Sequence, residues 1–410
     1  MGNVLVGLAG SFGSGCTTVA KMLGEAGDCH VVCLSDEIKR EAESKGVEPT
    51  RANLQALGNE LRQTQGLHVL AERAVTAAHE EAPDENWVLD GIRNLGEVAW
   101  LRSEMKNFYL LAVDAARSTR WERVRDRYEK NEAKFEDDDG RDSEEPYEYG
   151  QQVAACVDAA DVLLRNETNI FESKTVEAEV AQKLRDYLDL LKQPGSRPPS
   201  PEELLMHIAY STSLRSSCLR RKVGAVIAAP FPANGSRQAQ DTGYAVVATG
   251  YNEVPRGQQP CRDKHQRCYR DIRRREQAEA LKDLLCACGS PLKGAVRCPK
   301  CDRDWGVLRD DDKGLEYCRA LHAEETAILQ VTRTGGASLR GTVLYTTTFP
   351  CLLCAKKIVH AGMNKVVYVE PYPMPQAATF LRDAGVTTAR FEGVKAQAFY
   401  KLFYDLPSAW

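Results

Sequence analysis

Four side chains in the second half of the chain have the types and spacing for metal-assisted hydrolysis: His322 and Glu324 in ALHAEETAILQ, then Cys351 and Cys354 in TTTFPCLLCAKKIV. One imidazole and two thiolates can hold a zinc ion with the fourth tetrahedral position left to water, whose pKa the ion brings down to about 7. Cys351 and Cys354 open a predicted helix behind Pro350, where free amides and the helix dipole favour thiolates. Glu324 lies outside the ligand count. A structural zinc site has no use for a carboxylate beside its ligands, whereas hydrolysis needs a group to take a proton from water and deliver it to the leaving atom. In mid-helix, positions i and i+2 point about 200° apart, so His322 and Glu324 can share a site only in a helix's first turn. The competing reading is a structural knuckle of Cys351 and Cys354 beside two ordinary helix residues, and it leaves the HxE pairing without a purpose.

The chain holds 14 cysteines, and only Cys16, Cys29, Cys33 and Cys156 lie in its first half. In a reducing compartment such a number means metal ligands or catalytic groups rather than disulfides. In CACGSPLKGAVRCPKC, the pairs Cys286 with Cys288 and Cys298 with Cys301 stand about ten residues apart. They read as a four-thiolate zinc ribbon, with CxC where CxxC is usual in the first pair; a redox pair is the alternative.

A second chemical motif opens the chain. An apolar strand runs into Gly10-Ser-Phe-Gly13-Ser-Gly15-Cys16-Thr17-Thr18 and then a predicted helix. This is the P-loop layout GxxxxGK[ST], in which backbone amides cradle phosphates and the hydroxyl meets magnesium. Gly10, Gly13, Gly15 and Thr17 are the binding positions. Cys16 stands where the lysine belongs, and cysteine cannot supply its charge to the phosphates. Nucleotide binding is therefore expected without efficient phosphoryl transfer. The half otherwise resembles a small nucleotide or dephospho-coenzyme-A kinase. In that resemblance Asp36 sits in the acceptor region, Asp90 at the end of a core strand, and Arg117, Arg120 and Arg123 on a lid. A solvated helix face competes for the arginines, and a turn former competes for Asp90.

The elements that must position these groups form an α/β chain. Up to Lys192, the runs NVLVGLAG, CHVVCLSD, NWVLDG, NFYLLAVDA and DVLLRN alternate with amphipathic stretches, which predicts a largely parallel sheet. TVEAEVAQKLRDYLDLLK closes the domain as a helix, and the acidic NEAKFEDDDGRDSEEPYE reads as a mobile surface loop. QPGSRPPSP has linker composition. The chain therefore divides into a P-loop domain at 1–192, a linker at 193–201, and a second α/β domain at 202–410 with a cysteine-rich insertion at about 261–318. At 410 residues, 27% charged and 43% apolar, the composition is globular, with no apolar run long enough for a membrane span. The N-terminus lacks a basic n-region and a cleavage site, so a cytoplasmic location is expected. A net charge of −4 offers no global field for a phosphate polymer.

HxE with PCxxC is the signature of zinc-dependent nucleobase deaminases. Residues 202–410 resemble the dCMP/CMP-type deaminases through that signature and through STSLRSSCLRRKVGAVI, GYNEVPRG and CRALHAEETAI. The resemblance implies hydrolytic deamination of deoxycytidine nucleotides, dCTP to dUTP or dCMP to dUMP. It implies zinc as cofactor, Glu324 as proton shuttle, and Asn252 against the sugar. It also implies a second, structural zinc through Cys218 and Cys261, with His265, Cys268 or Cys318 completing the set. With its lysine-less P-loop half, the whole chain resembles the bacterial anti-phage dCTP deaminases, which deplete dCTP during infection. The partners implied are the nucleotide substrate, a regulatory nucleotide (with magnesium) at the P-loop or an allosteric site, an inhibitory RNA or phage factor, and further copies of the chain. Two other functions stay open. Arg270, Arg273, Arg274 and Arg275 would suit a deaminase of polynucleotides, and the P-loop half would suit a non-catalytic nucleotide sensor.

Overall fold

The computed structural model describes residues 3–27, 29–167, 174–232, 242–282, 288–290, 300–301, 314–372 and 374–404. It separates into two compact units, Met1–Leu204 together with Phe391–Trp410, and Leu205–Arg390. The strands in chain order are β1 Leu5–Ala9, β2 Cys29–Cys33, β3 Asn86–Asp90, β4 Phe108–Asp114, β5 Val162–Arg165, β6 Gly224–Pro232, β7 Thr242–Tyr251, β8 Val343–Thr348, β9 Lys365–Glu370, β10 Thr387–Arg390 and β11 Gly393–Val394.

The first unit is built on a six-stranded sheet in the order β11-β5-β4-β1-β3-β2. Its first five strands pair in parallel, as the alternating pattern predicts. Parallel strands are covered by helices on both faces, which is why β1 reads LVGLA without a polar position and is buried throughout. Alternate residues feed two cores: Leu5, Leu89 and Leu110 meet Leu61 and Leu70 on one side, and Val6, Leu8 and Leu111 meet Val19, Leu23 and Leu188 on the other.

Three expectations about this half are corrected. The second domain does not run to the C-terminus. β11 pairs antiparallel with β5, and the helix Ala396–Phe403 buries Ala398 and Leu402 in the P-loop unit's core. The strand β5 would otherwise be a bare edge, and the tail's apolar face has its partners there. The proline-rich stretch is likewise no free linker. It turns at Gly195, whose N–H donates to Leu402 O at 2.8 Å. The buried Glu203 carboxylate accepts from Val394 N at 2.9 Å, Ser200 N at 2.7 Å and Arg197 Nη1 at 2.8 Å. The acidic stretch is not a loop: Glu132–Ser143 is a helix capped by Asn131, whose side chain accepts from Lys134 N at 3.1 Å. It folds because its acids face arginines distant in sequence, Asp139 with Arg120, Asp142 with Arg51 and Glu132 with Arg117, while Phe135 is buried with Val124 and Tyr128.

The second unit carries a five-stranded sheet, β10-β9-β8-β6-β7. β7, β6 and β8 run antiparallel, and β8, β9 and β10 parallel. The helices Ala323–Thr334 and Leu352–His360 supply Ala323, Ala327, Ala355 and Ile358 to its core. Among the described residues no helix is long and apolar enough to cross a membrane.

Leu402→Ala is expected to lower stability by about 2–5 kcal/mol in thermal or urea unfolding. Hydrogen exchange should show the lost protection in β4, β5 and β11. Loss confined to β9 and β10 would instead return the tail to the second unit.

Candidate functional site

The two halves of the HxE and PCxxC motif meet at the ends of two helices. His322 is the N-cap of Ala323–Thr334 with extended backbone (φ −78°, ψ 158°), so Glu324 falls in the first turn. This is the one arrangement that lets residues i and i+2 serve a common site. Cys351 is the N-cap of Leu352–His360, and Cys354 lies in its first turn. The sulfurs of Cys351 and Cys354 stand 3.3 and 3.4 Å from His322 Nδ1, and the three donor atoms lie within 4.8 Å of one another. Two ligands of one tetrahedral zinc, at about 2.3 Å for sulfur and 2.0 Å for nitrogen, are separated by roughly 3.5 Å. The donor set thus fits zinc in chemistry and in spacing.

Helix Ala323–Thr334 reaches this position by close approach to β7. A Cβ on Gly250 would collide with the carbonyl of Ala323 and the amide of Ala327, so only glycine lets the helix come so near the strand.

The electrostatics belong to a site built around a cation. The Cys351 thiol is held down to about 4, first by its hydrogen bond with Cys354 and then, against burial, by His322. Burial opposes charge on His322, but hydrogen bonds with Cys318 and Cys351 and the neighbouring Glu324 outweigh it and push it up to about 11. The Cys354 thiol is pushed the other way by its bond to Cys351 and by burial. Glu324 is 4% exposed, and burial raises its carboxyl above the usual range, with His322 opposing. A carboxyl so placed keeps its proton to a higher pH than an exposed one, which suits a group that takes up and gives back a proton.

Asn252 is buried, its Oδ1 accepting from Val223 N at 2.8 Å and its Nδ2 donating to Arg221 O at 2.8 Å. One lone pair and one N–H remain for a ligand. Cys218, Cys261, Cys268 and Cys318 line one pocket with Asn252 and Arg270. Among the described residues, His322, Cys351 and Cys354 form the only potential ligand group of three or more. His265 instead meets Arg319 Nη1 at 3.2 Å. Of the proposed ribbon, Cys286 and Cys298 lie outside the described residues, and Cys288 and Cys301 are exposed. In the basic stretch, now the helix Tyr269–Lys282, Arg273 pairs with Glu276 at 2.6 Å.

In the first unit, Gly13 and Gly15 adopt φ of +82° and +101°. A Cβ on Gly10 would meet Ser14 Oγ and Val113 O at 2.5 Å. Thr17 Oγ1 donates to Asp90 Oδ2 at 2.8 Å. Burial pushes the Cys16 thiol up to about 12, so it is a neutral filler. Asp36 pairs with the exposed Lys39 at 2.7 Å. Two of the three arginines are not a solvated face: Arg120 is 7% exposed and Arg123 binds the loop, whereas Arg117 is exposed and pairs with Glu132. Asn166 went unnoticed in the sequence although it ends DVLLRN. Its Nδ2 donates to Ser14 O at 2.7 Å, and its place at the carboxyl end of a parallel strand, where such sheets gather ligands, was the available signal.

Comparison with known proteins agrees with both halves. Residues 199–370 match the model of the cytidine and deoxycytidylate deaminase zinc-binding region, and residues 6–147 match an AAA domain. The deoxycytidylate deaminase of Enterobacteria phage T4 is 32% identical over 192 residues, 44% of this chain and 85% of that protein. The chain belongs to the deoxycytidylate deaminase family. The Schizosaccharomyces pombe deoxycytidylate deaminase is 29% identical over 233 residues, 57% of this chain and 54% of that protein. The chain thus spans about half the length of the fungal relatives it matches. A Methanosarcina acetivorans protein described as UPF0200 is 26% identical over 185 residues, 45% of this chain and 95% of that protein.

Gly250→Ala is expected to cost about 1–3 kcal/mol in thermal unfolding and to lower zinc retention on dialysis. A variant that melts and retains zinc like the parent removes the close approach as the placing constraint. For metal-free protein, Glu324→Gln is expected to raise the melting temperature at pH 8. The folded-state pKa of Glu324 is raised, so its favourable contribution is present at low pH and lost as pH rises. The gain from glutamine should therefore shrink toward pH 4, and an equal gain at both pH values contradicts a buried, neutral carboxyl.

Proposed function

We propose that this chain is a zinc-dependent hydrolase that deaminates a deoxycytidine nucleotide, dCTP or dCMP, to the uracil nucleotide and ammonia. The observation that carries the reading is the buried Glu324 carboxyl in the first turn of the helix that His322 caps, beside Cys351 and Cys354. His322, Cys351 and Cys354 would hold the zinc, which when bound supplies a Lewis acid that makes water nucleophilic near neutral pH. Glu324 takes a proton from the water that adds at C4 of cytosine and hands it to ring N3. It then carries the second proton to the amino group, which departs as ammonia. Glu324 is itself 4% exposed, so bulk water is kept from the shuttle.

Asn252 is read as the contact to the sugar, using its remaining N–H. Cys218 and Cys261, with Cys268 and Cys318 in the same pocket, are read as a structural zinc set. Cys286, Cys288, Cys298 and Cys301 are read as a ribbon. Gly10, Gly13, Gly15 and Thr17 are read as a phosphate cradle for a regulatory nucleotide with magnesium, Cys16 excluding efficient phosphoryl transfer. The pairing of such a unit with a deaminase supports depletion of dCTP in defence against phage, with the chain assembled as a homo-oligomer.

The test follows absorbance loss of dCTP and of dCMP on the zinc-loaded protein with magnesium. Glu324→Gln should lower kcat by about 10²- to 10⁴-fold while zinc content is kept. His322→Ala and Cys351→Ala should each lose one equivalent of zinc. If the parent protein leaves both nucleotides unchanged, with and without added nucleoside triphosphates, the reading falls.

A further inference from the structure

With the base at the zinc ligands and the sugar at Asn252, a nucleotide's 5′-phosphate still needs a partner on the rim of the same site. Asn252 stands beside one ligand through its neighbour. Glu253 pairs antiparallel with Leu321, whose N–H donates to Glu253 O at 2.8 Å, and His322 follows directly. On the other side, Phe349 N donates to Glu370 O at 2.9 Å and Thr348 Oγ1 to Glu370 Oε2 at 3.2 Å. The end of β9 is thereby held against the turn that leads into Cys351.

Arg221 joins the two sides. Its carbonyl accepts from Asn252 Nδ2 at 2.8 Å, which fixes the main chain before β6 to the asparagine. Its guanidinium reaches Glu370, Nη1 to Oε2 at 3.4 Å, and lies 5.9 Å from the centre of the Tyr372 ring. Tyr372 stands near Cys351 as well: burial raises its hydroxyl, Arg270 opposes that, Cys351 adds to it, and Arg221 opposes it. A guanidinium is thus tied through backbone to the residue beside His322, and through its side chain to the strand end beside Cys351.

Glu370 is the counter-charge of this arginine. The two side chains are 47% and 33% exposed, and ion pairs so open to water contribute little, so the pair aims the guanidinium without using up its five-donor fork. A phosphoryl group brings three acceptor oxygens and about 1.5–2 negative charges. It can take two parallel N–H bonds from the fork, where one carboxylate oxygen now makes a single contact. Arg270, on the pocket wall shared with Asn252, adds positive charge to the same rim, with Asp271 3.9 Å from its Nε.

We propose that Arg221 binds the 5′-phosphate of the substrate and is thereby a specificity-determining residue that selects nucleotides over nucleosides. The inference rests on reading the zinc site as a deaminase of deoxycytidine nucleotides, with Asn252 against the sugar. The phosphate lies away from the reacting C4 and does not change charge during the reaction. Arg221 therefore contributes equally to ground-state and transition-state binding, which shows in KM and not in kcat.

The test is steady-state kinetics of the zinc-loaded full-length protein on dCTP, dCMP and deoxycytidine. Arg221→Gln should raise KM for the nucleotide that is converted by about 10- to 100-fold, with kcat and zinc content unchanged. The kcat/KM for deoxycytidine should stay at the parent's value. Arg221→Lys should recover part of the loss, because it keeps the charge without the fork. Arg220→Gln, at the neighbouring arginine that pairs with Asp271 at 2.6 Å, should behave as the parent does. An unchanged nucleotide KM in Arg221→Gln overturns the proposal. So does an equal loss with deoxycytidine, which would make the residue a prop for Asn252, or an equal loss in Arg220→Gln, which would make the effect one of diffuse surface charge. If Arg221→Gln fails to fold, Arg221→Met, which keeps the aliphatic stem, takes its place under the same criteria. A parent protein that converts neither nucleotide overturns the deaminase reading and this proposal with it, a result distinct from failure of Arg221 alone.

Discussion

The second unit depends on one convergence: an imidazole nitrogen and two sulfurs held within 4.8 Å of one another by the first turns of two helices. Buried thiols beside a buried carboxyl are costly unless something positive lies among them. Here His322 lies among them, its imidazole drawn toward the charged form by hydrogen bonds with Cys318 and Cys351 and by Glu324. Everything around the convergence serves placement. β8 ends where Cys351 begins its helix, and Gly250 lets the other helix settle on β7. The sheet fixes where the two helices start, and the starts carry the chemistry.

The first unit uses the same device. Its loop, too, opens a helix at the carboxyl end of a parallel strand, where amides are available to an anion. The usual cation is missing from the loop itself, and a neighbouring helix brings arginine to the peptide carbonyls. That helix is steadied by the acidic helix Glu132–Ser143, whose Asp139 holds Arg120, while Arg51 lies over Phe12 at 4.1 Å and pairs with Asp142. Charges that look like a solvated face and a polar loop when read along the chain pair with one another in space.

Much of this could be read from the residues. The central parallel strands of the first unit, β1 and β4, are nearly continuous apolar runs because both their faces are covered, and such runs are visible without knowing their neighbours. HxE and PCxxC are local as well: cap positions place each pair by itself. The tail from Phe391, the acidic helix and the docking of Gly195 were misread, because each is decided by a partner far away in sequence. Val394 has no local reason to join β5, and Asp139 looks solvent-bound until Arg120 is set opposite it.

The sequence by itself determined which side chains could ligate a metal or carry a proton and the absence of a lysine at position 16, since these are properties of side chains and of spacing within a few residues. Only the tertiary structure decided that His322 meets the two cysteines 29 and 32 residues away, that Arg123 stands behind Gly13 and Ser14, and that the chain's end belongs to its beginning. The reason is physical. Local spacing sets which groups one turn can present together, whereas burial and backbone pairing between distant segments set which turns face each other.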